Sequence, residues 1–411
     1  MFNTERANCV NKKTWSLAAI ASIPLMMTLG NSMLIPVLPV MERELNITPL
    51  QSSFIITVYS IVAVVFIPIA GILSDRIGRK MVIIPSLCLA GIGGLISGLA
   101  AWLIPNPYTI IIIARLLQGL GAAGAFPIVL PLVGDLYNSE KQISHGLGIV
   151  ETSNTFGKVL SPVLGAVLAT IVWFLPFLAI PVLSLISIIA MIFLVKNPTT
   201  KEKPVKISVF FHAVKQIFIR EGRWLIAVYA IGCITMTILF GVLFYLSSLL
   251  ENQYGIADIP KGFVLAIPLA SLCLASYLTG LVLGQDKQHM KWAAFAGMLL
   301  FTIASFPISF FTNIYALLIA LLIGGAGIGV TLPALDALIT ESIEKEERGT
   351  ITSFYSSMRF AGVAIGPPLF ALLMRHSHQL VFGSAAALGA VGVLVIFFFI
   401  RIPAKSNNPS P

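Results

Sequence analysis

The chain has 411 residues, of which 57% are hydrophobic and only 10% charged. A water-soluble domain carries about a quarter charged residues, and a mean hydropathy of +0.95 excludes one of any size, so the class is an all-α integral membrane protein. The net charge of +9 is read as membrane topology rather than as a nucleic-acid footprint, and Cys9, Cys88, Cys233 and Cys273 lack the paired spacing of a disulfide framework or a zinc site.

About 20 apolar residues cross a bilayer as a helix. Twelve such runs predict spans over 15–40, 50–73, 81–103, 108–133, 143–171, 173–195, 223–249, 261–283, 291–311, 313–338, 350–373 and 379–400. The first run follows Lys12 and Lys13 and exceeds the roughly 7–15 residues of a signal-peptide core, so it stays as a span. Val172–Trp173 barely separates spans five and six. The longest polar stretch divides the chain into a six-helix bundle over 1–195, a linker over 196–222 and a second six-helix bundle over 223–411. In the linker Val209, Phe210, Ala213, Val214, Ile217 and Phe218 recur at helical spacing, which predicts an amphipathic helix in the inner interface.

With the N-terminus in the cytoplasm, 20 of the 26 Lys and Arg fall on cytoplasmic segments, and only Arg43, Lys261 and Arg375 fall on outer loops. That bias places both termini in the cytoplasm of a multi-pass cell-membrane protein. The remaining three, Arg115, Lys158 and Arg359, lie inside spans.

The halves repeat at a shift of about 205 residues. Gly157, Ser161 and Pro162 of span five align with Gly362, Gly366 and Pro367 of span eleven, and Gly121, Pro127 and Asp135 of span four align with Gly327, Pro333 and Glu341 of span ten. Duplicated halves with a site between them near the midplane are a transporter architecture.

Residues 71–80 read Gly-Ile-Leu-Ser-Asp-Arg-Ile-Gly-Arg-Lys between spans two and three. Gly71 permits a close helix approach, Gly78 a tight turn, and Asp75 and Arg76 can pair with each other or with helix ends; Arg79 and Lys80 complete the segment. This resembles the signature loop of the major facilitator superfamily. The resemblance implies twelve helices in two pseudo-symmetric bundles and a latch in this loop that breaks between gated states. Arg115, Gln118, Gly119, Gly121 and Gly124 of span four resemble the family's second motif, which implies an inward-facing Arg115 and Gln118 that assist proton coupling or hold an anionic group. Snorkelling of Arg115 to the outer surface is the alternative. Gly157, Ser161, Pro162, Gly165 and Ala166 resemble the motif of the 12-span drug:proton antiporter branch, with Ser161 and Ala166 where that pattern has glycine. Pro36 and Pro39 in span one are a further feature of that branch.

Lys158 has no counterpart in those patterns. Glu151 lies seven residues earlier on nearly the same face, about 10.5 Å away, so the two can line one cavity, with Glu151 taking a proton and Lys158 attracting an acidic substrate, or form a buried structural charge network. Asp336 and Arg359 are expected to make a direct ion pair that gates. Span one has no carboxylate, and its central polar residue is Asn31. Proton coupling then falls to Glu151, Asp336 or Asp75. Phe126, Phe240, Phe244, Tyr245 and Phe354 can wall the cavity or face lipid.

The expected function is proton-coupled efflux of an amphipathic organic compound by alternating access, as a monomer in the bilayer with no cofactor beyond the proton gradient, no metal and no nucleic acid. One alternative is an exporter dedicated to a single metabolite such as a siderophore. Another is a lipid-modifying membrane enzyme, which needs a catalytic cluster. His145, His212 and His289 are far apart, and His376-x-His378 is read as part of a solvated outer loop rather than a metal site.

Overall fold

The computed structural model describes the backbone of residues 2–137, 140–195, 207–284, 286–311, 313–343 and 345–400, and the side chains of these apart from 2–13, 140, 141, 144, 207–218, 220 and 345–348. Among the described residues, twelve helices are long and apolar enough to cross a membrane: span 1 (Thr14–Leu45), 2 (Pro49–Ile77), 3 (Arg79–Leu103), 4 (Tyr108–Leu136), 5 (His145–Ile171), 6 (Leu175–Leu194), 7 (Glu221–Asn252), 8 (Asp258–Val282), 9 (Lys287–Ile308), 10 (Ile314–Ser342), 11 (Gly349–Leu373) and 12 (His378–Phe399). Helices suit these segments because lipid offers no partner for backbone N–H and C=O groups. Polar residues supply the stops. Asn46 ends span 1 in the left-handed region, Thr48 and Gln51 form a capping box on span 2, and Asp286, Asn313 and Ser377 cap spans 9, 10 and 12.

Each predicted run falls on one of these helices, with several ends shifted. Span 1 reaches Leu45 instead of 40, because a 3₁₀ turn over Ile35–Val37 carries the chain past Pro36 into a short helix, Leu38–Leu45. Arg43 and Lys261, expected on loops, are helical. Residues 196–206 of the expected linker lie outside the described residues, and one helix runs unbroken from Ile207 to Asn252. The boundary drawn at 222 therefore lies inside a helix.

The packing order repeats between the halves. Span 1 packs on 5 and 6, 2 on 4, and 3 on 4 and 6; correspondingly, 7 packs on 11 and 12, 8 on 10, and 9 on 10 and 12. The halves meet where span 2 packs on 11 and span 5 on 8, two contacts that exchange under the pseudo-two-fold. Close approach comes from matched small residues. A Cβ on Gly121 would lie 2.7 Å from the Ala90 backbone nitrogen, and one on Gly327 would lie 2.8 Å from that of Phe301. Gly157 and Gly165 abut Leu25, Thr28 and Met33 of span 1, and Gly362, the repeat partner of Gly157, abuts Cys233, Met236 and Thr237 of span 7.

The two ends of the molecule differ. Toward the end carrying Arg43, one apolar core is shared by both halves: Leu34, Leu38 and Met41 of span 1 and Ile55 of span 2 cluster with Leu243, Leu246 and Leu250 of span 7 and Leu265 of span 8. Toward the end carrying the 71–80 turn, each half keeps its own core, one around Ile20, Ile83 and Leu132, the other around Leu225, Met290 and Leu335. Among the described residues, the structure is thus closed over a shared core at the Arg43 end, while at the turn end the two cores are distinct.

Replacing Gly121 or Gly327 by Leu forces backbone apart where no side chain can yield. Overpacking costs about 1–3 kcal/mol. Each variant is expected to melt several degrees below wild type in detergent, followed by intrinsic fluorescence, whereas Gly134→Leu, with open space around its Cβ position, is expected to melt with wild type.

Candidate functional site

Three clusters of polar residues interrupt the apolar interior. In the first, Arg115 of span 4 is fully buried inside the first half, so the snorkelling alternative does not hold. Its Nε donates to the Ile55 carbonyl at 2.7 Å, its Nη1 to Gln118 Oε1 and its Nη2 to Asn31 Oδ1, both at 2.5 Å. The guanidinium also lies 4.5 Å from the centroid of the Tyr59 ring. Asn31, Gln118 and Arg115 are therefore brought together, as a clamp between spans 1, 2 and 4. Ile55 and Tyr59 are members that sequence reasoning missed, since a backbone carbonyl and a ring face carry no charge signal.

The second cluster is the 71–80 segment. Gly78 has φ 100° and joins two helices in a single residue, as expected. Gly71 faces Ser353 of span 11. Arg79 pairs with Asp75 one turn before it and with Asp135 of span 4 at 3.1 Å, and donates to the Ser74 hydroxyl at 2.8 Å. Asp75, expected to pair with Arg76 or with a helix end, is thus reached from across the Gly78 turn by Arg79, the first residue of span 3. Lys80 caps the end of span 6 through the carbonyls of Ile192 and Val195.

The third cluster lies between the halves. Glu151, Thr155 and Lys158 of span 5, Leu272 and Ser276 of span 8, Leu332, Pro333 and Asp336 of span 10 and Arg359 of span 11 line a cavity of about 140 Å³. Glu151 and Lys158 thus share one cavity. Each half contributes one acid and one base. Arg359 and Asp336 pair at 3.6 Å, and the Arg359 guanidinium lies 5.7 Å from the centroid of the Tyr355 ring. Glu151, at the turn end, is exposed and accepts a hydrogen bond from Asn154 at 3.1 Å; Asn154 Oδ1 in turn accepts from Thr28 of span 1 at 2.7 Å.

Deeper in, Lys158 is 9% exposed. Among the described residues its ammonium makes no hydrogen bond and no ion pair. It also borders a smaller, almost wholly apolar recess formed by Ser32, Ile35, Ser161, Pro162, Leu239, Phe240, Leu243, Leu265 and Leu269. Ser161 and Pro162 therefore serve the recess as well as the helix contact that the motif implied. Of the five aromatics expected as cavity walls, Phe240 walls the recess, Phe244 and Tyr245 are buried in the shared core, Phe354 packs against the second half's own core, and Phe126 packs edge-on against Phe360 of the other half.

His378 corrects the solvated-loop reading. It opens span 12, half-buried, with Nδ1 2.9 Å from the Tyr245 hydroxyl and Nε2 3.1 Å from the Ile308 carbonyl. The carbonyl can only accept, so Nε2 carries the proton. Nδ1 of the neutral ring then accepts from the tyrosine.

The chain matches the Major Facilitator Superfamily over residues 20–287 and 285–411. It is 50% identical over 394 residues to the Bacillibactin exporter of Bacillus subtilis (strain 168), covering 96% of this chain and 98% of that one. It is 26% identical to the class B Tetracycline resistance protein of Escherichia coli, covering 86% and 87%. A crystal structure of the D-xylose-proton symporter superposes with a TM-score of 0.79 at 14% identity, over 94% of this chain and 98% of the other, a likeness of fold alone. Twelve spans with a repeated packing order, the 71–80 turn and the match to the family profile along nearly the whole chain converge: this membrane protein belongs to the Major Facilitator Superfamily.

Proposed function

We propose that the protein is an efflux transporter that exchanges an anionic, amphipathic metabolite of the siderophore class for an incoming proton. The observation that carries this reading is Lys158, a buried cation with no direct partner, set between a charged cavity and an apolar recess. A charge in such a place is costly until a counter-charge reaches it. A cargo with an acidic group and an apolar body fills both needs: the acid meets Lys158, and the body lies against the recess beside Phe240, which at about 10 Å³ must widen to admit it. The 50% identity to a protein named for bacillibactin export supports the choice of a siderophore over a broad range of drugs.

The 71–80 turn, where the positive charge concentrates, faces the cytoplasm in this reading, and so do both termini. The cavity then opens to the cytoplasm and loads there. Glu151 and Asp336 are the carboxylates placed to carry the proton on the return step. Outward movement of a monoanion and inward movement of a proton both bring positive charge inward. An interior-negative potential favours each by about 2.3 kcal/mol per charge per 100 mV.

Two outcomes test the reading in everted vesicles supplied with bacillibactin. Lys158→Gln removes a charge-assisted contact worth about 1.5–3 kcal/mol, so the apparent KM is expected to rise by about 10- to 100-fold, with Lys158→Arg retaining most of the affinity. An unchanged KM in Lys158→Gln overturns the anion site. The pair Glu151→Gln and Asp336→Asn, combined, is expected to abolish proton-gradient-driven uptake while cargo–cargo exchange persists; intact gradient-driven uptake in the double variant removes both carboxylates from the proton path.

A further inference from the structure

The Arg43 end is closed by more than apolar packing. Pro39 has no N–H for the carbonyl of Ile35, four residues back, and Ser247 of span 7 donates its hydroxyl to that carbonyl at 2.9 Å. One turn beyond Ser247, Glu251 accepts from Arg43 of the first half and from Lys261 of span 8. Among the described residues, Arg43–Glu251 is the only ion pair that joins the two halves. The three side chains differ sharply in exposure: 59% for Arg43, 8% for Glu251 and 2% for Lys261. The other charged groups acting on this cluster are Glu42 of span 1 and Asp258 of span 8.

We propose that Arg43, Glu251 and Lys261 form a lock on the Arg43 end, and that neutralising Glu251 drives the carrier toward the state open at that end. Two effects act in the same direction. The bridge between the halves is lost. In addition, Lys261 is left as a buried cation without its carboxylate, a situation far costlier than losing an exposed pair. Opening the end admits water to Lys261 and removes that cost. Arg43, already exposed, gives up little when the pair parts. The inference gives the three residues different consequences. Removing Arg43 only weakens the lock. Removing Lys261 leaves the bridge between halves in place. Removing the charge on Glu251 both breaks the bridge and strands a charge. A proton arriving from the Arg43 side neutralises Glu251 in the same way, so acid on that side favours opening.

The test places a reporter in the closed interface. Leu250→Cys, fully buried beside Glu251, is treated in proteoliposomes with a membrane-impermeant maleimide applied from the Arg43 side, against the parent chain without the added cysteine. E251Q is expected to raise the labelling rate by about tenfold or more, R43Q by less, and K261Q not at all. The double variant E251Q/K261Q, which removes the stranded cation, is expected to fall back to the R43Q rate. Labelling of E251Q at the parental rate overturns the lock. So does a K261Q rate equal to that of E251Q, which points to general loosening of the helix ends. The double variant also separates the stranded charge from misfolding, since misfolding does not reverse when a second charge, that of Lys261, is deleted. No cargo enters this assay, so its outcome is independent of the anion site at Lys158.

Discussion

An ionised side chain held midway across a bilayer must find compensation locally; insertion alone costs about 2.5–3.5 kcal/mol for Arg or Lys. The protein meets that constraint in two opposite ways. Arg115 is compensated by neutral dipoles: a backbone carbonyl, two side-chain amide oxygens and a ring face, gathered from three helices. These contacts use three of its five N–H groups, and the cation knits spans 1, 2 and 4 together. Lys158 is compensated by nothing in direct contact. The same physical demand falls on both residues, and on the reading proposed above it leaves Lys158 receptive to an anion; the difference lies in the neighbours, since both are single basic residues in apolar helices.

The duplication sharpens this contrast. At the repeat shift, Arg115 aligns with Leu321, Lys158 with Val363, Glu151 with Ser356 and Arg359 with Asn154. Small residues at helix contacts are kept in both halves, because backbone proximity is a demand of the packing order that both halves share. The charges that line the cavity are not kept, because the cavity lies between the halves and needs each of them only once, whereas the acid at Asp135 and Glu341 is kept. A pseudo-symmetric scaffold therefore carries an asymmetric site, and the two acid–base sets, one from each half, come to face one another only through assembly.

This division explains what the sequence disclosed. The span count and the 71–80 turn were legible because they depend on local properties, run length and a single glycine at a helix junction. The shared cavity of Glu151 and Lys158 was legible from a seven-residue spacing, which returns to one helix face. The Asp336–Arg359 pair was legible from its depth on neighbouring spans. The partners of Arg115, the apolar recess beside Lys158 and the burial of Lys261 were not. Each depends on residues distant in sequence, and Lys261 read as a loop residue because burial of a cation at a helix start follows only from Glu251 folding back across a short turn. His378 was misread for a related reason: Tyr245 and Ile308, which hold it, come from other helices.

The proposed cargo site and the proposed lock are joined by geometry. Leu239, Phe240 and Leu243, which wall the recess, and Glu251, which holds the lock, lie on one helix. Residues 240 and 251 are eleven apart, about 16 Å along it. Leu265 and Leu269 of the recess likewise follow Lys261 on span 8. A cargo that fills the recess therefore presses on two stiff helices, of which span 7 carries Glu251, one member of the only inter-half ion pair among the described residues, and span 8 carries Lys261, which pairs with Glu251 within the same half. Helices of this kind move as units because lipid offers their backbones no alternative partners. Binding that tilts span 7 against span 1 needs to displace one exposed guanidinium and one hydroxyl contact, a small cost beside that of keeping Lys158 unpaired. The weak link at the closed end and the unsatisfied charge at the centre are in this sense complementary. The centre supplies the free energy that cargo releases, and the lock sets a barrier low enough for that release to cross.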